Sequence, residues 1–438
     1  MEQKPMRAID FHICDWLGGW NGDPDREATL ASLRIDAGPE NARTCFTEVY
    51  DASSLTVRKQ INVSAYAFAR WLLVNWWRLR WESPRRDDHW LYAHSLAAIG
   101  EGFAWPPLVI SSDSEFIQVQ AYAEETCDVA AIRYLSDATL DVPAADFEMA
   151  VDSLVDQVRE RLSACRGQDR DLRELQDELA AERSNPKLAR ACRLQATAGI
   201  DPGEAPNDWL CGVEELGRGV GPAAINELVA ALPRLPGGLS AAGEAVEILR
   251  NSHQEIDLSW LKPLVRHGRS ELPWQRGTRM AIAVRQQLGQ VSGPLTNDKL
   301  ASCLGAALPM PFSGPGALQG GYRQDKQGRA KVTVPSARIE RQRFHLARVM
   351  AGALFASEQD HFLAVTDIGT AMQKCERAFA QELLCPWCDL DAFTDEKGLE
   401  EDAIAAATEH FQVSDWTIRS ALVNKHKLPR ERLPTALR

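Results

Sequence analysis

Arg343-Phe344-His345-Leu346-Ala347-Arg348-Val349-Met350-Ala351-Gly352-Ala353-Leu354-Phe355 is the stretch on which the reading of this chain turns. It reads as a single helix. His345 and Arg348 are three residues apart, so they point to adjacent faces of that helix. Further along, Phe379-Ala380-Gln381-Glu382-Leu383-Leu384-Cys385-Pro386 closes a second predicted helix, Asp367 to Leu384, stopped at Pro386. The chain then runs through Leu399 to Phe411, a turn, and Asp415 to Asn424, again read as helices.

Upstream of the opening stretch lie a predicted helix from Trp274 to Leu288 and a Gly/Pro-rich run, Pro309 to Tyr322. Two strand-like pieces follow, Gly320 to Gln324 and Ala330 to Val334. From Gly167 to about Leu261 nothing resembles a strand. Leu172 to Glu182, Pro186 to Ala198, Asn207 to Leu216 and Ala223 to Leu232 are helix candidates, and Pro186 suits a first helical position. The N-terminal part alternates strand-like pieces (Met6 to Trp16, Thr44 to Tyr50) with helices (Ser64 to Arg80, Asp146 to Leu162). Leu108 to Tyr122 reads as a hairpin turning at Ser111-Ser112-Asp113-Ser114. The expected class is α+β, multidomain and mostly helical, with a small-sheet domain over 1–165, a helical middle over 166–265, and a third domain over 266–438.

A chain of 438 residues is too long for one compact core. Its 45% apolar and 25% charged content describes an ordinary globular protein. Met1-Glu2-Gln3-Lys4-Pro5 is followed by no signal-peptide core, and no apolar run approaches the roughly 18 residues of a membrane span. Ala65 to Trp77 is too short and is broken by Arg70 and Asn75. Ten scattered cysteines suit a reducing compartment, so a cytoplasmic protein without membrane contact is expected. A net charge of −12 argues against coating nucleic acid by bulk electrostatics.

Residues 266–438 resemble the ImmA/IrrE family of metallopeptidase-like proteins. Three ordered landmarks carry the resemblance: Arg343-Phe344-His345-Leu346-Ala347, then Phe379 to Pro386, then Ala403 to Leu422 around Phe411-Gln412-Val413-Ser414. The resemblance implies a zincin-like α+β domain whose active helix carries HExxH, two His binding zinc and a Glu acting as base. Here those positions read Arg348, Val349 and Gly352. Arg offers zinc no lone pair, Val takes no proton, and Gly has no side chain. The family's acidic positions ahead of Phe379 fall on Gln373 and Cys375, and Glu376 is displaced to a position usually filled by a small residue. The framework is kept where the chemistry is lost, so no metal and no cofactor is expected, and the protein is read as a non-enzyme.

A rebuilt metal site would draw on His345, Cys375, Glu376, Cys385 and Cys388. The last two form a lone CxxC without a second pair of donors. Arg348, with His345 and Glu376, is a candidate for an anionic ligand, because guanidinium forks onto carboxylates and phosphates. The run Arg70, Trp76, Trp77, Arg78, Arg80, continuing to Arg85-Arg86 and Trp90, mixes cations with indoles as interaction surfaces do. Its alternative is a core helix with Arg at the edge, and Asp87-Asp88 weakens a nucleic-acid role. The C-terminal helices and tail (Arg419, Lys425, Lys427, Arg430, Arg432, Arg438) invite comparison with a DNA-binding helix pair. Gly314-Pro315-Gly316 with Gly320-Gly321 lacks the Lys-Ser/Thr of a phosphate loop, and no nucleophile elbow is visible.

The resemblance implies a pseudo-metallopeptidase acting as sensor or adaptor in bacterial stress regulation or phage defence, binding a protein partner or small ligand. An active metallohydrolase with rearranged ligands and a DNA-binding regulator are the competing expectations.

Overall fold

The computed structural model describes residues 8–18, 23–85, 87–123, 131–165, 170–261, 271–313, 318–323 and 328–433. Met6, Arg86, Gln324, Arg438 and the Gly314 to Gly316 run therefore lie outside the described residues. Helices dominate, with four small antiparallel sheets, a mixed α+β architecture. The chain divides into two compact units, Met1–Pro206 and Asn207–Arg438. No helix among the described residues is long and apolar enough to cross a membrane.

In the N-terminal unit, strands Ile9–Trp16, Leu30–Ala37, Thr44–Cys45 and Ile61–Ser64 form an antiparallel sheet. Ile9 and Phe11 turn inward at the period of two that a half-buried strand requires. The Phe11 ring meets Phe68 of helix Ala65–Val74 edge-on at 5.2 Å, and Phe147 of helix Ala144–Ala164 at 6.2 Å. Ser64 ends its strand and caps the next helix, accepting from the Ala67 N–H. The single helix expected over Ser64 to Arg80 is two, Ala65–Val74 and Trp76–Trp81. Asn75 divides them: its backbone leaves the helical region and its side-chain amide donates to the Trp71 carbonyl at 2.9 Å.

Thr44 to Tyr50 likewise splits into two short strands in different sheets, Thr44–Cys45 and Val49–Asp51, around the buried Phe46. The hairpin stands as strands Leu108–Ser112 and Phe116–Ala121, so Ser111 and Ser112 still belong to the first strand. The turn is made by Asp113, whose carboxylate accepts from the N–H groups of Glu115 and Phe116.

The stretch 166–265 is shared between the two units. Leu172, Leu179, Cys192 and Ala196, on helices Arg170–Ser184 and Pro186–Thr197, join the N-terminal core. Helices Trp209–Val220, Ala224–Ala231 and Gly238–Arg250 belong to the C-terminal unit. The first is tied there by Val220, whose carbonyl accepts from His361 N–H at 2.8 Å. Contrary to expectation this stretch ends in a strand, Glu255–Asp257, in which Ile256 alone is buried. One inward residue leaves no periodic signal to read.

That strand is the edge of the C-terminal sheet, followed in order by Arg329–Val332, Gln319–Arg323 and Phe362–Val365. Three helices, Pro273–Gln287, Ile339–Phe355 and Ala371–Leu384, make up much of its core. The last begins at Ala371, later than expected, because Thr370 caps it by accepting from Gln373 N–H. Gly277 lets the first come against the third: a β-carbon there would lie 2.1 Å from the Cys375 carbonyl oxygen.

Candidate functional site: a buried charge network in the C-terminal unit

On helix Ile339–Phe355, Arg348 and Gly352 are one turn apart and share a face. On helix Ala371–Leu384, Gln373, Glu376 and Arg377 do the same. These two faces meet. Arg348 is buried and donates through Nη2 to the Thr366 carbonyl at 2.7 Å and, at closer range, to Gln373 Oε1; Glu376 Oε2 lies 3.5 Å away. A β-carbon at Gly352 would stand 3.4 Å from Glu376 Oε1, so the missing side chain makes room for that carboxyl.

Gln373 is the hinge of the network. Its Oε1 also accepts from Thr366 N–H at 2.8 Å, while its Nε2 donates to the Ala364 carbonyl at 2.9 Å. A carboxylate could serve the first two donors, but it would face the Ala364 carbonyl with like polarity; an amide satisfies all three. The network continues outward: Thr370 Oγ1 donates to Glu227 Oε2 at 2.7 Å. Arg377 donates to the carbonyls of Ile368 at 3.0 Å and Thr366 at 3.4 Å. Glu227 and Arg377 are half-buried and form the less enclosed end.

Burial sets the electrostatics. It pushes the Glu376 carboxyl up to about 8, against the pull of Arg348, and Glu227 reinforces the rise. It raises Glu227 as well, opposed by hydrogen bonds from Thr370 and Gln373. Arg377 is drawn down to about 10 by burial and by the neighbouring Arg348. His345 is driven down to about 3, first by burial and then by Arg348, so its ring is neutral. The carbonyls of Thr333 and Gly320 pull weakly the other way, yet neither ring nitrogen makes a hydrogen bond of good geometry.

Of the positions singled out in the sequence, the structure gathers Arg348, Gly352, Gln373 and Glu376. Val349 instead packs on the sheet against Gly321. Cys375, buried, lies where its carbonyl meets Gly277 of the neighbouring helix. Glu227, Thr370 and Arg377 were not singled out; Glu227 reaches the network from a helix more than a hundred residues upstream, which no local motif signals. Arg348 is paired in the interior and not on the surface of its domain, because the space its partners leave is closed by Gln373 and Glu376.

The zinc implied by the resemblance does not fit these residues. The guanidinium of Arg348 occupies the space between the two helices, and a cation repels a cation. Among the described residues no three His, Cys, Asp or Glu side chains converge as ligands would. Cys385 is buried with its thiol pushed well up by desolvation, whereas Cys388 is exposed.

The run proposed as an interaction surface is largely interior. Trp76, Trp77 and Arg78 are buried, and Arg78 is held by Glu82 at 2.7 Å. Arg80 is paired with Glu148 at 2.6 Å, and among the described arginines and tryptophans of the run only Arg70 is exposed, near Asp171. Apolar rings with few polar atoms are the cheaper groups to take from water. Asp87 caps the next helix at Trp90 N–H.

Four of the C-terminal cations are also engaged. Arg419 bonds Asp415 and Glu401, Arg432 bonds Glu401 at 2.8 Å, and Lys427 bonds Asp391 and Asp395 at 2.5 and 2.7 Å. Lys425 lies over the Trp387 ring. Comparison with protein-family models, with curated proteins and with solved structures finds no match to this chain.

Proposed function

We propose that the C-terminal unit is a peptidase-like scaffold without peptidase chemistry, and that the protein is a cytoplasmic sensor or adaptor. Following its resemblance to ImmA/IrrE proteins, its setting is bacterial stress regulation or phage defence, where it binds a protein segment or small ligand and does not cut it. The observation that carries this reading is the engagement of Arg348 with Gln373, Glu376 and the Thr366 carbonyl. A charge held on three sides by protein groups stabilises the two-helix framework and has no nucleophile to activate. Gln373 supports the same reading, because its amide satisfies donors and an acceptor that a ligating carboxylate would not.

The test is hydrolysis of unfolded protein substrates by the full chain, with zinc added and with chelator. No chelator-sensitive cleavage is expected. Restoring the motif as Arg348→His, Val349→Glu and Gly352→His should not create it, since position 349 packs against Gly321 of the sheet and the new imidazole at 352 meets Glu376 and Leu363. Chelator-sensitive cleavage by the unmodified protein would sink the reading.

A further inference from the structure

The N-terminal unit contains a pocket of about 430 Å³. Ligand sites for small molecules run from about 300 to 1,000 Å³, so this one suits a single small molecule. Trp76, Trp77 and Trp81, on one short helix, contribute its aromatic lining. Helices Arg170–Ser184 and Pro186–Thr197 supply Arg183, Arg190 and Arg193. The lining holds one acid, Glu148, and it is already engaged by Arg80 at 2.6 Å and Arg183 at 3.5 Å.

Arg190 and Arg193 therefore have no carboxylate partner among the described residues. The buried Nε of Arg193 lacks an acceptor, and so do the indole N–H groups of Trp76 and Trp81. Trp77 differs, since it donates to Glu182 at 2.6 Å. The Arg193 guanidinium is held below its ordinary range by burial and then by repulsion from Arg190 and Arg80. The pocket thus gathers positive charge against indole faces: Arg183 lies over the Trp76 ring at 4.7 Å, and Arg80 and Arg193 over the Trp81 ring at 4.1 and 5.2 Å. Guanidinium forks onto phosphate, and indoles stack on heteroaromatic rings.

We propose that this pocket binds a mononucleotide, with Arg190 and Arg193 on its phosphate and its base among the indoles. The proposal is independent of the reading of the C-terminal unit.

Isothermal titration calorimetry of the full chain with the four ribonucleoside 5′-monophosphates tests it. At least one should bind saturably, about tenfold or more tighter than its own nucleoside or inorganic phosphate. Arg190→Met and Arg193→Met should each weaken that binding about tenfold; Arg190→Met should do so without lowering the thermal midpoint, while Arg193→Met also removes the guanidinium from the Trp81 ring. Where a variant does not fold, saturation-transfer NMR on the unmodified chain must show transfer to the base protons of the nucleotide. Absence of saturable binding, absence of that transfer, or affinity indifferent to both substitutions would overturn the proposal. Affinity that climbs with oligonucleotide length would also overturn it, assigning the pocket to single-stranded nucleic acid.

Discussion

Glu376 and His345 sit one helix apart and bend the pH dependence of stability in opposite directions. The Glu376 carboxyl rises to about 8 in the fold, from an ordinary value near 4.5. Between those values the folded state holds a proton that the unfolded chain has released, so stability falls as pH rises from about 4.5 to 8. Glu376→Gln should flatten that fall by an amount on the order of 1–3 kcal/mol, read by chemical denaturation at pH 5 and pH 8. His345 works the other way. Its ring is depressed to about 3 from 6.5, so stability is present above pH 6.5 and lost as pH falls toward 3. His345→Leu should remove much of the acid-side loss; the remainder includes His94, also depressed by burial in the N-terminal unit. An unchanged pH profile in either variant would show that the group is better solvated than its burial implies.

At the scale of elements, the approach of helix Pro273–Gln287 to helix Ala371–Leu384 depends on one absent side chain. Gly277→Ala would place a methyl 2.1 Å from a backbone carbonyl that cannot swing aside. A loss of about 1–3 kcal/mol is expected, despite the better helix propensity of alanine. A variant as stable as the parent would mean the helices separate at little cost. This contact also marks what sequence could not supply. Both helices were expected, the first within one residue at each end and the second beginning four residues early, and Asp415–Asn424 was placed to the residue, with Ser414 and Asp415 as a plain start signal. The break at Asn75 and the strand Glu255–Asp257 were not: the break turns on one side-chain bond to the Trp71 carbonyl, and a strand with one inward residue shows no period. The same limit applied to the site. Arg348, Gly352, Gln373 and Glu376 were named in advance through the family resemblance, whereas Glu227 enters through tertiary packing alone.

At the scale of the molecule, two compact units hold two unlike groupings of polar residues. The C-terminal network is closed on itself: Arg348 answers Glu376 and Gln373, and Thr370 answers Glu227. The N-terminal pocket carries cations that no described carboxylate answers. A sensor needs one part that is stable and one that is open to an external ligand, and the proposed function and the proposed pocket divide along that line. The central claim is that a guanidinium has taken the place of a metal. It is tested most directly by the zinc content, per chain, of full-length protein purified without a metal-affinity tag and then dialysed against dilute zinc. Zinc far below stoichiometric is predicted, because the Arg348 charge fills the space between the two helices and no donors converge among the described residues. One tightly held zinc per chain would contradict the account and return the C-terminal unit to the active peptidases.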